Sequence, residues 1–154
     1  MNPLRLDLEG LRRAPTFHSL SEPDSRALLQ CFRSRRVRAG ETLFQEGDPG
    51  NFLLLIGEGT LLATTRGPGG KLKTLARMGP GEVVGEMAFL DPTPRAATVT
   101  AVTDALVHEL DRDSMDVLRD NVPGAARALV RAAARSVARR LRRLEERIDH
   151  ELHR

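Results

Sequence analysis

A chain of 154 residues, 40% apolar and 29% charged, has the size and balance of one globular domain with its own core. Its net charge of +3 is too small to mark a polycation, and its single cysteine, Cys31, excludes an internal disulfide. No uncharged apolar run reaches the roughly 18 residues of a membrane helix and the N-terminus has no apolar signal core, so a cytoplasmic protein is expected.

Residues 1–33 read as helical. Leu4, Leu8 and Leu11 recur at helical spacing. Ser21-Glu22-Pro23-Asp24 is a helix start with Ser21 as N-cap, and the helix is expected to run from Glu22 to Phe32. Cys31 falls in its apolar end and reads as a buried, inert thiol. With no Trp, no Tyr and five Phe, the core must be built mainly of Leu, Val and Ala.

Residues 34–112 change character. Short apolar runs alternate with Gly/Pro turns: 42–44, 52–56, 60–65, 73–76, 98–102 and 105–110, with Gly67-Pro68-Gly69-Gly70 as a hairpin tip. This pattern predicts an antiparallel sandwich or roll. His108 lies in an alternating strand and is expected to be exposed.

Residues 84–99 carry the chemistry. Gly85 has no Cβ and lets backbone approach a ligand closely. The short turn after it can aim unpaired N–H groups at an anion. Arg95 offers a planar fork matched to two phosphate oxygens, while ionised Glu86 only accepts and so suits a hydroxyl. Opposite polarities at short spacing point to a ligand with both a phosphate and a ribose; a Glu and an Arg nine residues apart in an ordinary loop would instead be a solvated pair of little consequence. Pro92 and Pro94 either stiffen the approach to Arg95 or prevent strand pairing there. Met87, Phe89 and Leu90 are expected to pack the core.

The segments Val84-Gly85-Glu86-Met87-Ala88-Phe89 and Pro94-Arg95-Ala96-Ala97-Thr98-Val99 together resemble the phosphate-binding cassette of cyclic nucleotide-binding domains, of the kinase-regulatory-subunit and catabolite-activator type. The resemblance extends over about residues 20–145. It implies a mainly β fold with flanking helices: a jelly-roll-like antiparallel β-roll (double-stranded β-helix), N-terminal helices and a long C-terminal helix. It also implies a ligand set of Gly85, Glu86, Met87, Ala88, Arg95, Ala96 and Ala97. Glu86 would take the ribose 2′-hydroxyl, Arg95 the cyclic phosphate, and backbone amides the rest of the phosphate cradle. Members that prefer cyclic GMP often carry Ser or Thr directly after the arginine; Ala96 stands there, which favours cyclic AMP. A cyclic dinucleotide stays open.

Residues 113–154 read as two helices broken at Asn121-Val122-Pro123-Gly124. From Ala125 to Leu152 there is no Gly or Pro, and Val130, Ala133, Val137, Leu141, Leu144, Ile148 and Leu152 step by threes and fours, close to the natural helix period. A helix of about 40 Å exceeds what one roll covers. Its far half stays solvated, pairs with a second copy over residues 125–152, or meets a protein partner. Its many arginines fit a solvated face, an acidic protein or, less readily, nucleic acid. The resemblance to the dimer helix of catabolite activators places Leu144 and Glu145 where those proteins use a Thr-Ser pair on the base, so Leu144 would cap the base by apolar contact instead. The chain stops at Arg154 without room for a helix-turn-helix, so direct control of transcription is not expected. His150 and His153 read as a solvated tail rather than a metal pair, and no nucleophile–base pair suggests an enzyme. The expected function is therefore a cyclic nucleotide sensor acting through its C-terminal helix. The alternative is a ligand-free dimerisation or scaffold module that keeps the fold.

Overall fold

The computed structural model describes residues 5–153, apart from the side chains of Ala88 and Phe89; Leu4 of the expected N-terminal repeat lies outside the described residues. Two short helices lead, α1 (Leu8–Arg13) and α2 (Glu22–Leu29). Both begin on side-chain caps: Asp7 accepts from the Gly10 N–H at 2.7 Å and Ser21 from that of Asp24 at 3.2 Å. Helix α2 ends three residues short of Phe32, because the chain must turn at Gln30 to enter the first strand.

Eight strands follow: β1 (Arg33–Val37), β2 (Thr42–Phe44), β3 (Phe52–Glu58), β4 (Leu61–Arg66), β5 (Leu72–Met78), β6 (Val83–Val84), β7 (Thr98–Ala101) and β8 (Ala105–Asp111). They form two antiparallel four-stranded sheets, ordered β1-β8-β3-β6 and β2-β7-β4-β5. The hairpin tip between β4 and β5 is a short turn of 3-10 type at Pro68–Gly70. Strand β1 and the two-residue β6 escape the sequence reading. The first is Arg-Ser-Arg-Arg-Val, an edge strand whose charged residues suit an exposed border.

Strand β3 explains why its sequence is apolar without alternation. Leu54 and Ile56 enter the core between the two sheets, with Val37, Phe44, Leu61, Val99 and Val107. Leu53 and Leu55 enter a second core under the helices, with Phe17, Leu28, Leu110, Leu118 and Leu129. A strand buried on both faces reads as a continuous apolar run.

Strand β8 holds a correction. His108 is buried rather than exposed. It sits opposite Ser34 on β1 and Leu55 on β3, and its Nδ1 lies 2.6 Å from the Ser34 hydroxyl. Room for the ring comes from Gly57, where a Cβ would stand 2.7 Å from His108 Nε2. Cys31 is half-buried, not fully enclosed, with its thiol directed at the Ala27 carbonyl; burial pushes its pKa up and Asp111 adds to the rise.

Helices α4 (Arg112–Asn121) and α5 (Pro123–Leu152) complete the chain. Asp111 caps α4 by accepting from the Ser114 N–H at 2.7 Å, and Pro123 opens α5. The face of α5 that packs on the roll is Ala125, Ala126, Leu129, Ala132, Ala133 and Ser136. This is displaced by about one residue from most of the stripe read in the sequence. Of that stripe only Ala133 is in the core; Val130, Leu141, Leu144, Ile148 and Leu152 are exposed along one side of the helix. Among the described residues no helix is long and apolar enough to cross a membrane.

Candidate functional site

The site is built where β6 gives way to a five-residue helix, α3 (Glu86–Leu90). Gly85 makes the junction at φ 82°, ψ 16°, in the left-handed region that favours glycine. It supplies no side-chain cap to the first turn of α3. A Cβ on Gly85 would overlap Nη1 of Arg95 and approach the Phe52 carbonyl. Glycine is therefore required twice over, by conformation and by the arginine lying across its Cα.

Arg95 is 3% exposed. Its backbone is fixed from both sides: its N–H donates to the Asp48 carbonyl and its carbonyl accepts from the Gly47 N–H, each at 2.8 Å. A bridge between Pro49 and Pro94 reinforces that alignment, so Pro94 does take part in strand-like pairing. The guanidinium donates from Nη1 to the Gly85 carbonyl at 3.2 Å and from Nη2 to the Phe52 carbonyl at 2.6 Å. It stacks over the rings of Phe44 and Phe52, with Cζ 4.0 and 4.5 Å from their centroids. Its Nε has no partner among the described residues. Burial lowers its pKa and Asp48 opposes the shift. No carboxylate forms an ion pair with it among the described residues.

Glu86 is fully buried. One oxygen stands 2.7 Å from Nη1 of Arg140 on α5, but off the line of a hydrogen bond, and neither carboxylate oxygen has an aligned donor among the described residues. Burial raises the Glu86 pKa, and Arg140 opposes the rise without cancelling it. Arg140 also donates from Nη2 to the Val83 carbonyl, so α5 is tied to both β6 and α3.

The other expected site residues fall into two groups. Met87 is 57% exposed, not in the core as expected; it follows Glu86 on the outer side of α3. Ala88 continues that helix, Ala96 is exposed and Ala97 is half-buried beside the inter-sheet core. Leu144 is 53% exposed, one turn beyond Arg140 on α5. The Arg95 guanidinium lies against Gly85, and Arg140 of α5 stands against Glu86. Sequence reasoning missed Arg140, counting it among the solvated arginines, and missed the ring pair Phe44 and Phe52. The available signal for Arg140 was its place one turn before Leu144.

A glycine bend, a buried arginine without a counter-ion and a buried glutamate without an aligned donor occupy one cassette. The sequence matches the family model described as the cyclic nucleotide-binding domain over residues 34–121, more than half of the chain. The chain belongs to the cyclic nucleotide-binding domain family. It is 34% identical to the cyclic AMP receptor protein of Thermus thermophilus over 139 residues, covering 90% of this chain and 62% of that protein. The chain thus spans about three fifths of the length of this curated relative. Among solved structures, it is similar to the N-terminal domain of a transcriptional regulator from Streptomyces coelicolor (37% identity, TM-score 0.73, 90% of this chain and 94% of that one). It is also similar to a cyclic nucleotide-binding domain from Methylobacillus flagellatus (28% identity, TM-score 0.83, 94% and 81%). The two-sheet roll with flanking helices is the fold of this family.

Proposed function

We propose that this cyclic nucleotide-binding domain is a sensor, not a catalyst, and that its ligand is cyclic AMP. Gly85, Glu86, Met87, Ala88, Arg95, Ala96 and Ala97 form the contact set. Arg95 takes the cyclic phosphate, Glu86 the ribose 2′-hydroxyl, and the amides at the start of α3 and at Ala96 complete the cradle. One observation carries this reading: Arg95 and Glu86 are both buried in one cassette yet do not neutralise each other. A buried charge without its complement is costly. Arg95 has no carboxylate partner among the described residues, and Glu86 has only the part-exposed Arg140; a ligand offering an anion to Arg95 and a hydroxyl to Glu86 supplies the missing anion and an aligned donor. The relative named a cyclic AMP receptor protein and the absence of a hydroxyl at Ala96 favour adenine over guanine.

Arg140 carries the output. When the ribose hydroxyl occupies Glu86, the guanidinium loses its acceptor and α5 is released from α3. The exposed stripe Val130, Leu141, Leu144, Ile148 and Leu152 then sets how two copies pair along α5, with Leu144 placed to cap the base. A protein partner on the same stripe is the other route for the signal.

The scaffold alternative has one observation in its favour: protein groups already engage both residues, with Arg95 donating to two carbonyls and Arg140 set against Glu86. Thermal melting separates the two readings. A sensor melts higher in millimolar cyclic AMP and less so in cyclic GMP, whereas a scaffold does not move with either.

A further inference from the structure

A small cavity is lined by Arg140 but not by Glu86. It is formed where α5 crosses the loop after α1 and the turn before β6, and is lined by Thr16, Glu82, Ser136, Arg139, Arg140 and Arg143, among others. Its volume is about 110 Å³. That is well below the roughly 300 Å³ at which pockets begin to hold drug-sized ligands, and equals about four waters of bulk volume. A tetrahedral oxyanion fits such a space; a nucleoside does not.

The lining chemistry has one sign. Three guanidiniums face a single carboxylate, and Glu82 is already engaged with the Gly79 N–H. Arg139 and Arg143 form no ion pair or hydrogen bond among the described residues. The hydroxyls of Thr16 and Ser136, on residues 6% and 8% exposed, likewise bond no protein group there. Positions 136, 139, 140 and 143 share one face of α5 by helical spacing, so the donors converge from a rigid element. Arg forks and hydroxyls are the donor set that recognises phosphate.

We propose that this cavity is a second, separate site for an oxyanion of the phosphate class, linked to the cassette through Arg140. The ligand is inorganic phosphate or a phosphomonoester whose remainder projects into solvent. Arg140 has two neighbours: it stands 2.7 Å from Glu86 and also lines the cavity. An oxyanion gives it an acceptor that draws it away from Glu86, which is the movement that the proposed ribose contact also requires. The two ligands therefore favour the same position of Arg140, and each must strengthen the other by the same factor. The link rests on the proposed function above; the oxyanion site itself does not.

The test is a calorimetric titration of inorganic phosphate, at constant ionic strength, into the full chain, the double variant Arg139→Ala/Arg143→Ala, and Arg95→Ala. Both substitutions in the double variant are at exposed positions of a helix and leave the roll untouched. Saturable binding is expected in the wild type and in Arg95→Ala, and a loss of roughly tenfold or more in the double variant. Equal binding by the double variant, no saturable binding by the wild type, or loss of phosphate binding in Arg95→Ala would each overturn the site; the last would place the phosphate in the cassette. Repeating the titration with a phosphomonoester distinguishes the two sources: tighter binding than inorganic phosphate assigns the ester, equal or weaker binding the free ion. Cyclic AMP affinity that does not change at saturating phosphate, in a protein that binds both, would overturn the link through Arg140 and leave the site standing.

Discussion

Arg140 of α5 stands 2.7 Å from the carboxylate of Glu86 in α3, so the long C-terminal helix is clamped to the one glutamate the cassette buries. The pair is lopsided. The Glu86 side chain is fully enclosed while that of Arg140 keeps 43% of its exposure. The charge that suffers from burial is the carboxylate, and the charge free to leave is the guanidinium.

Substituting Arg140→Gln should therefore separate binding from signalling. The fold loses about 1–3 kcal/mol, because a buried carboxylate is left without its cation, less than for a fully enclosed pair. Cyclic AMP binds at least as tightly, since a competitor for Glu86 is gone. Amide exchange along α5, measured with and without nucleotide, should no longer respond to the ligand. A response equal to the wild type's would rule out Arg140 as the relay.

Glu86 sets a pH dependence whose sign follows from burial. Its pKa is higher in the folded chain than in the unfolded one. Between those two values the folded state holds more protons, so stability falls as pH rises through that window. The contribution is favourable below the unfolded value and lost above the folded one. Melting of wild type minus Glu86→Gln across the acidic range should show that falling slope. Cyclic AMP affinity should move oppositely, weakening as Glu86 is protonated and ceases to be a pure acceptor. A flat difference curve would mean that burial does not control this group.

His108 gives the opposite sign. Burial lowers its pKa, with Glu58 as the opposing influence. The unfolded chain then binds the extra proton, and stability is lost as pH falls from the ordinary histidine value toward the lowered one. Replacing His108 with Gln should remove this acid sensitivity. Gly57→Ala should cost about 1–3 kcal/mol by overpacking against the ring, and equilibrium denaturation measures it.

How legible all this was in the sequence differs from element to element. Strand β2 falls at the residues expected, Thr42–Phe44, and Ser21 caps α2 as expected, because turn and cap chemistry are local. His108 misled because alternation says which face a residue takes and not whether that face is covered; Gly57 on the neighbouring strand made the space. The stripe on α5 was read at helical period, but period alone does not choose between two adjacent stripes, and the roll packs on Leu129 and Ala132 rather than Val130 and Val137. In the cassette, residue type and spacing made Glu86 and Arg95 conspicuous. Arg140 was hidden because its partner lies 54 residues away in sequence, and its place one turn before Leu144 was the one local mark that set it apart from its arginine neighbours.

The exposed stripe on α5 makes a prediction of its own. Leu141→Asp together with Ile148→Asp should convert a dimer to a monomer in light scattering, since both side chains are more than half exposed in the single chain and neither supports the roll. The fold, followed by circular dichroism, should persist. A wild-type chain that scatters as a monomer with and without nucleotide would instead direct the search to a protein partner.

Ligand recognition at the cassette depends most on Arg95 meeting a phosphate. The direct measurement is a calorimetric titration of cyclic AMP into wild type and Arg95→Ala, each first shown by its melting curve to be folded. Removing a charge-assisted pair of bonds from a buried site should weaken binding by at least about 3 kcal/mol, more than a hundredfold. Equal affinity in the two proteins would contradict the assignment of the site.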